Sequence, residues 1–178
     1  MLADPHHSCI ILLNVTRRAA TSAIDAFAGR CRANLSLLSA CRAFFAIPQF
    51  AIGEYEQTLV PDEISSSLEH VDIDALSIWR DSRLAERLAH LDVGSIFLGG
   101  AFLEEEVLIS ALQGARLGYD VRLLSDLSIA RHESDRALVL DRLAHHGILA
   151  TTLRQALLEW AASKDDRIVS RKIQDLLS

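Results

Sequence analysis

The stretch Gly94-Ser-Ile-Phe-Leu-Gly-Gly-Ala-Phe-Leu-Glu-Glu-Glu-Val-Leu-Ile-Ser-Ala-Leu-Gln-Gly-Ala-Arg-Leu-Gly118 decides the fold. An apolar run over Gly94–Gly99 reads as a strand and ends in Gly99-Gly100. A helical pattern over Glu104–Leu117 follows at once and closes on Gly118. A strand that turns directly into a helix places the helix N-terminus at the carboxyl edge of a sheet. Proteins of the α/β class hold ligands and reactive groups there.

Outward from this unit, strands and helices alternate. Ser8–Asn14 is a short continuous apolar run, the signature of a strand buried on both faces. Residues 21–45 carry apolar positions at helical spacing, as one helix or as two broken near Gly29 or Asn34, and Pro48 ends them. Gln49–Gly53 reads as the second strand, and residues 54–67, with Pro61 and Ser65-Ser66-Ser67, as loop. A short strand is expected at 70–72 and a helix over Ser82–His90 with Leu84, Leu88 and Leu91 on one face. Further strands are expected at 120–125 and 148–150. Helices are expected at 133–146, closed by Gly147, and at 153–162, capped by Thr152. The alternation predicts an α/β fold: three Rossmann-like layers, about six mainly parallel strands, and helices on both faces. Residues 1–163 form a single domain in this reading, and 164–178 a C-terminal helix that is either a tail or an interface.

Composition bounds the function. Half of the 178 residues are apolar, which suits a doubly covered sheet and a subunit interface. The net charge of −6 and the absence of a long basic run argue against nucleic acid. Lys164 and Lys172 are the only lysines, so none precedes residue 164. Cys9, Cys31 and Cys41 are odd in number and lack ligand spacing, as expected of free thiols in a reducing compartment. No apolar run approaches the ~20 residues of a membrane span, and no signal-peptide layout opens the chain. A cytoplasmic protein without cofactor, metal or membrane partner is the expectation. His6-His7, His132 and His145-His146 are not spaced as metal ligands.

The strand–turn–helix of residues 94–118 resembles the nucleophile turn of the isochorismatase-like cysteine hydrolases, the superfamily that includes nicotinamidases. There the pattern is a strand, Gly-Val-x-Thr-x-x-Cys-Val, and a helix ending in Gly-Tyr; Gly118-Tyr119-Asp-Val continues the match. Ile10-Ile-Leu-Leu-Asn14 stands where that family has an apolar strand ending in Asp. Val71-Asp-Ile-Asp-Ala-Leu-Ser-Ile-Trp-Arg-Asp-Ser-Arg-Leu84 is similar to the segment carrying its lysine, with Ser77, Trp79 and Leu84 in place. Ser125-Asp126 matches the Asp at the end of the next strand. The resemblance spans residues 8–160. It implies strand order 3-2-1-4-5-6, adjacent carboxyl ends for Asn14 and Gly100, and a homo-oligomer.

In that family a thiolate attacks, an aspartate moves the proton and a lysine depresses the thiol pKa. Here the aspartate slot holds Asn14, the lysine slot falls within 72–74 (Asp72, Ile73 or Asp74), and the cysteine slot holds Glu106. An amide is no general base near neutrality. The zinc motif of some members, Asp-x-His after the second strand, is replaced by Gly53-Glu-Tyr-Glu-Gln. The resemblance therefore implies a pocket formed by Asn14, Asp72 or Asp74, Trp79, Ala101, Phe102 and Glu106, without the family chemistry. Glu104-Glu105-Glu106 reads as a first-turn acidic cluster favoured by the helix dipole, or as a site for a cation or amine. The function that follows is an oligomeric binding or scaffold protein, with a small-molecule ligand as one form of it. The alternative is a divergent hydrolase of a small amide with Glu106 in the nucleophile slot.

Overall fold

The computed structural model describes residues 2–17 and 31–178. The expected helix over 21–30, with its candidate break at Gly29, lies outside the described residues. Six strands form one sheet: β1 (Ser8–Leu13), β2 (Gln49–Ile52), β3 (Glu69–Val71), β4 (Ser95–Ala101), β5 (Asp120–Ile129) and β6 (Leu149–Thr151). All pairings are parallel, in the order β3-β2-β1-β4-β5-β6. This is the predicted order, and Leu13 pairs with Gly100, so Asn14 and Gly100 do end neighbouring central strands.

Every residue of β1 is buried, and its alternation builds both cores. Ile10 and Leu12 point to a layer made by α1 (Arg32–Leu35), α2 (Leu38–Phe45), α7 (Leu153–Lys164) and α8 (Arg167–Leu177). Cys9, Ile11 and Leu13 point to the opposite layer, made by α4 (Ser82–His90), α5 (Leu108–Arg116) and α6 (Arg136–His145). One further short helix, α3 (Asp62–Ser65), lies before β3. Among the described residues no helix is long and apolar enough to cross a membrane.

Local chemistry sets the helix ends. The Asp81 carboxylate accepts from Arg83 N and opens α4, and Thr152 with Gln155 forms a capping box on α7. Asp166 accepts from Ile168 N and Val169 N and opens α8, whose Ile173 is fully buried in the core that also holds Trp160. The break between α1 and α2 falls at Ser36-Leu37, just beyond Asn34.

Strand β5 is longer than expected, running past Ser125-Asp126 to Ile129. Two polar residues suggest a strand end in the sequence, but here both are satisfied from the flank. Ser125 Oγ donates to Thr151 O, and the Asp126 carboxylate accepts from Leu153 N at the head of α7. Burial raises the Asp126 pKa despite those bonds. The extension pairs with β4 after a register shift between Leu98 and Gly100, which sets Gly100 opposite Ser128.

Candidate functional site

The site lies where β1, β2 and β4 end. Asn14 has φ of 54°, a left-handed conformation that Asn tolerates better than most residues. Its side chain is buried and both ends are used: Nδ2 donates to Ala101 O at 2.7 Å and Oδ1 accepts from Glu54 N at 2.9 Å. The amide therefore joins the ends of three strands. Gly53, at φ of 82°, leaves room for it; a Cβ there would stand 2.2 Å from Asn14 Oδ1.

After Gly100 the chain passes through a cis peptide, Ala101–Phe102, and enters a π-helical turn, Leu103–Val107, before α5. The helix expected to begin at Glu104 thus begins as a wider turn, with Glu105 at non-helical φ −110° and ψ −112°. Phe102 O accepts from both Glu105 N and Val107 N. This turn sends the three acids in separate directions.

Each acid accepts its hydrogen bonds from a different residue, though Arg17 Nη1 also stands 4.0 Å from Glu105. Glu104 Oε1 accepts from His132 N at 2.8 Å. Glu105 takes the Arg131 guanidinium at 2.7 and 3.2 Å, and that hydrogen bond holds its carboxyl below the usual range. Glu106 Oε1 accepts from Arg17 Nη1 at 2.6 Å. Arg17 also reaches Glu54 Oε1 through Nε and Nη2, at 3.0 and 2.9 Å. Burial works against the Arg17 charge, but hydrogen bonds to Glu54 and Glu106 outweigh it and raise its pKa. Phe102, itself fully buried, lies beneath both guanidinium groups, 5.7 Å from Arg17 and 4.2 Å from Arg131. Glu106 Oε2 and Glu104 Oε2 are buried and meet no donor among the described residues.

Above Phe102 lies an open cleft of about 930 Å³, lined also by Thr16, Tyr55, Glu56 and Leu59. Of the expected pocket residues, the structure gathers Asn14, Ala101, Phe102 and Glu106 around this corner. The other three need correction. Asp72 and Asp74 are exposed, and neither lines the cleft. Val71, Ile73 and Ala75 take the buried positions, so the acids between them are turned outward. Asp72 lines a separate cleft of about 610 Å³ beside α4, and its carbonyl accepts from Arg83. Asp74 accepts from Leu76 N within its own turn. Of the candidate lysine positions, only Ile73 is buried.

Trp79 is no wall of the cleft. Its Nε1 donates to Ser110 O at 2.8 Å, its ring stacks on Tyr119 at 5.4 Å, and it packs tightly against Gly114. It fastens the segment after β3 to α5. Sequence reasoning missed Arg17 and Glu54. The available signal was an arginine three residues beyond the Asn14 strand end and an acid directly after Gly53.

No protein-family model matches the sequence, and no curated protein matches it either. Solved structures do match. The YcaC gene product of Escherichia coli, an octameric hydrolase of unknown specificity, aligns over 99% of this chain and 95% of its own at TM-score 0.72 and 14% identity. The MAR1 ribonuclease of Caenorhabditis elegans aligns over 99% and 92% at TM-score 0.77 and 17% identity. An isochorismatase of Pseudomonas putida aligns over 87% and 92% at TM-score 0.65 and 11% identity. The chain has the isochorismatase-like α/β fold. At these identities the likeness assigns the fold alone, and the chemistry is read from the residues of this chain.

Proposed function

We propose that this protein uses an isochorismatase-like hydrolase fold without the thiol chemistry, as an oligomeric binding or scaffold protein. The observation that carries this reading is the Arg17–Glu106 ion pair, 2.6 Å across, in the nucleophile slot. Asn14 supports it, because both atoms of its amide are spent on backbone and neither is a base. The buried position of the lysine segment is Ile73, which offers no charge to steady a developing anion. Cys9 and Cys41 do not substitute: both are buried, and desolvation pushes the Cys41 thiol up to about 12 and Cys9 higher still.

The second reading, Glu106 as base or nucleophile toward a small amide, draws on Glu106 Oε2, which is buried and meets no donor among the described residues. Its partner oxygen is engaged by a guanidinium, which offsets the charge that would make the carboxylate attack. A polyanionic substrate is disfavoured, since Glu54, Glu56, Glu105 and Glu106 outnumber Arg17 and Arg131 along the cleft. Oligomerisation is supported by the octameric state of the similar YcaC gene product.

Purified protein is expected to show no turnover of isochorismate or nicotinamide above background. Loss of a nucleophile alone commonly lowers turnover by ~10⁶. Turnover that disappears in Glu106→Ala would overthrow the noncatalytic reading. Light scattering on the same sample is expected to give a mass above that of one chain; a monomer at tens of micromolar would remove the oligomer.

A further inference from the structure

We infer that the cleft above Phe102 is a guanidinium site that Arg17 fills from within, and that it admits a small molecule bearing a terminal guanidinium. This rests on the reading that the cleft binds rather than hydrolyses. The Arg17 head group meets carboxylates from two separate segments, Glu54 beyond β2 and Glu106 in the π turn, above the Phe102 ring. Planar donors, two acids and an aromatic face are the elements by which a guanidinium is recognised.

Arg17 does not exhaust the site. It contacts Glu106 through Oε1 alone, while Oε2 of the same carboxylate is buried and meets no donor among the described residues. A guanidinium pairs best with a carboxylate through two parallel bonds, and the tether of Arg17, engaged with Glu54 at Nε and Nη2, leaves it only Nη1 for Glu106. An untethered guanidinium is free to present both donors to Glu106. Exchanging one for the other leaves the charge of the cleft unchanged, and about 930 Å³ of open volume beside the pair accommodates the rest of a ligand. Arg17 thus acts as an internal competitor, present at the millimolar effective concentration typical of a linked group.

Methylguanidine is the probe, titrated calorimetrically into the full-length protein. Arg17→Ala is expected to bind it at least tenfold more tightly than the wild type. Adding Glu106→Gln to Arg17→Ala is expected to abolish at least tenfold of that affinity, and methylurea, similar in shape but neutral, is expected not to bind. If Arg17→Ala does not fold, Arg17→Gln takes its place, with and without Glu106→Gln. Equal affinity in the wild type and the Arg17 variant, binding indifferent to Glu106→Gln, or equal binding of methylurea overturns the inference. Those results leave the noncatalytic reading standing. Turnover of an amide by the wild type would sink that reading without altering the titration.

Discussion

Gly100→Ala should deprive the protein of about 4 kcal/mol or more of stability, enough to remove most soluble product from an ordinary domain. Gly100 sits at φ of 131°, where a side chain costs about 1–3 kcal/mol in backbone strain alone. Space makes matters worse. A Cβ there would lie 2.2 Å from Leu13 O, 2.5 Å from Leu13 N and 2.8 Å from Leu13 C. These are backbone atoms of the neighbouring strand, so no rotamer change relieves the contact. Only separation of β1 from β4 does, and those strands form the centre of the sheet. Gly94→Ala is the control: its Cβ meets nothing within 4 Å, and it should stay within ~0.5 kcal/mol of the wild type. Urea unfolding of both variants checks the claim. A Gly100→Ala midpoint close to that of Gly94→Ala would show that β1 and β4 can part without loss.

Trp160→Ala should cost about 3–5 kcal/mol, the range for deleting a buried large aromatic. Trp160 is fully buried on α7, edge-on to Phe97 of β4 at 4.8 Å and tilted against Phe45 of α2 at 5.9 Å. It joins the sheet to two helices of one layer. Its Nε1 donates to Ser8 Oγ at 3.3 Å, so truncation removes both the packing and a buried polar partner. For a chain of this size the loss corresponds to a melting temperature lower by roughly 6–20 °C. Trp160→Phe keeps most of the volume and should fall between the two. A shift below about 3 °C for Trp160→Ala would mean that the layer closes over the cavity without penalty.

Most of the architecture could be read from the chain. The continuous apolar run at Ser8–Leu13, the strand–turn–helix at Ser95–Arg116 and the cap at Thr152 carry their own local signals. The long β5 was hidden because Asp126 looks like a stop until Leu153 N is brought to it by the fold. The π turn was hidden because three successive glutamates also suit the first turn of an ordinary helix. Asp72 and Asp74 were misplaced although their pattern was visible. Val71, Ile73 and Ala75 alternate with them, and a period of two assigns the acids to the outside. Arg17 is different, because its partners stand 37 and 89 residues away and no spacing rule joins them.

The Arg17–Glu106 pair also shapes how the sequence can drift. Glu106 has only 12% of its side chain exposed, and Arg17 only 19%. Replacing Arg17 alone leaves the largely buried Glu106 without its counter-ion, whereas replacing Glu106 alone leaves Arg17 still held by Glu54. Positions 17 and 106 are therefore not free of one another, and their substitutions do not add. A lineage placing a neutral residue at 106 first would carry an arginine still bound to Glu54. One losing the arginine first would carry an uncompensated glutamate. The two single steps are therefore unequal: losing the arginine strips Glu106 of its donor, while losing the glutamate leaves the arginine its second acid.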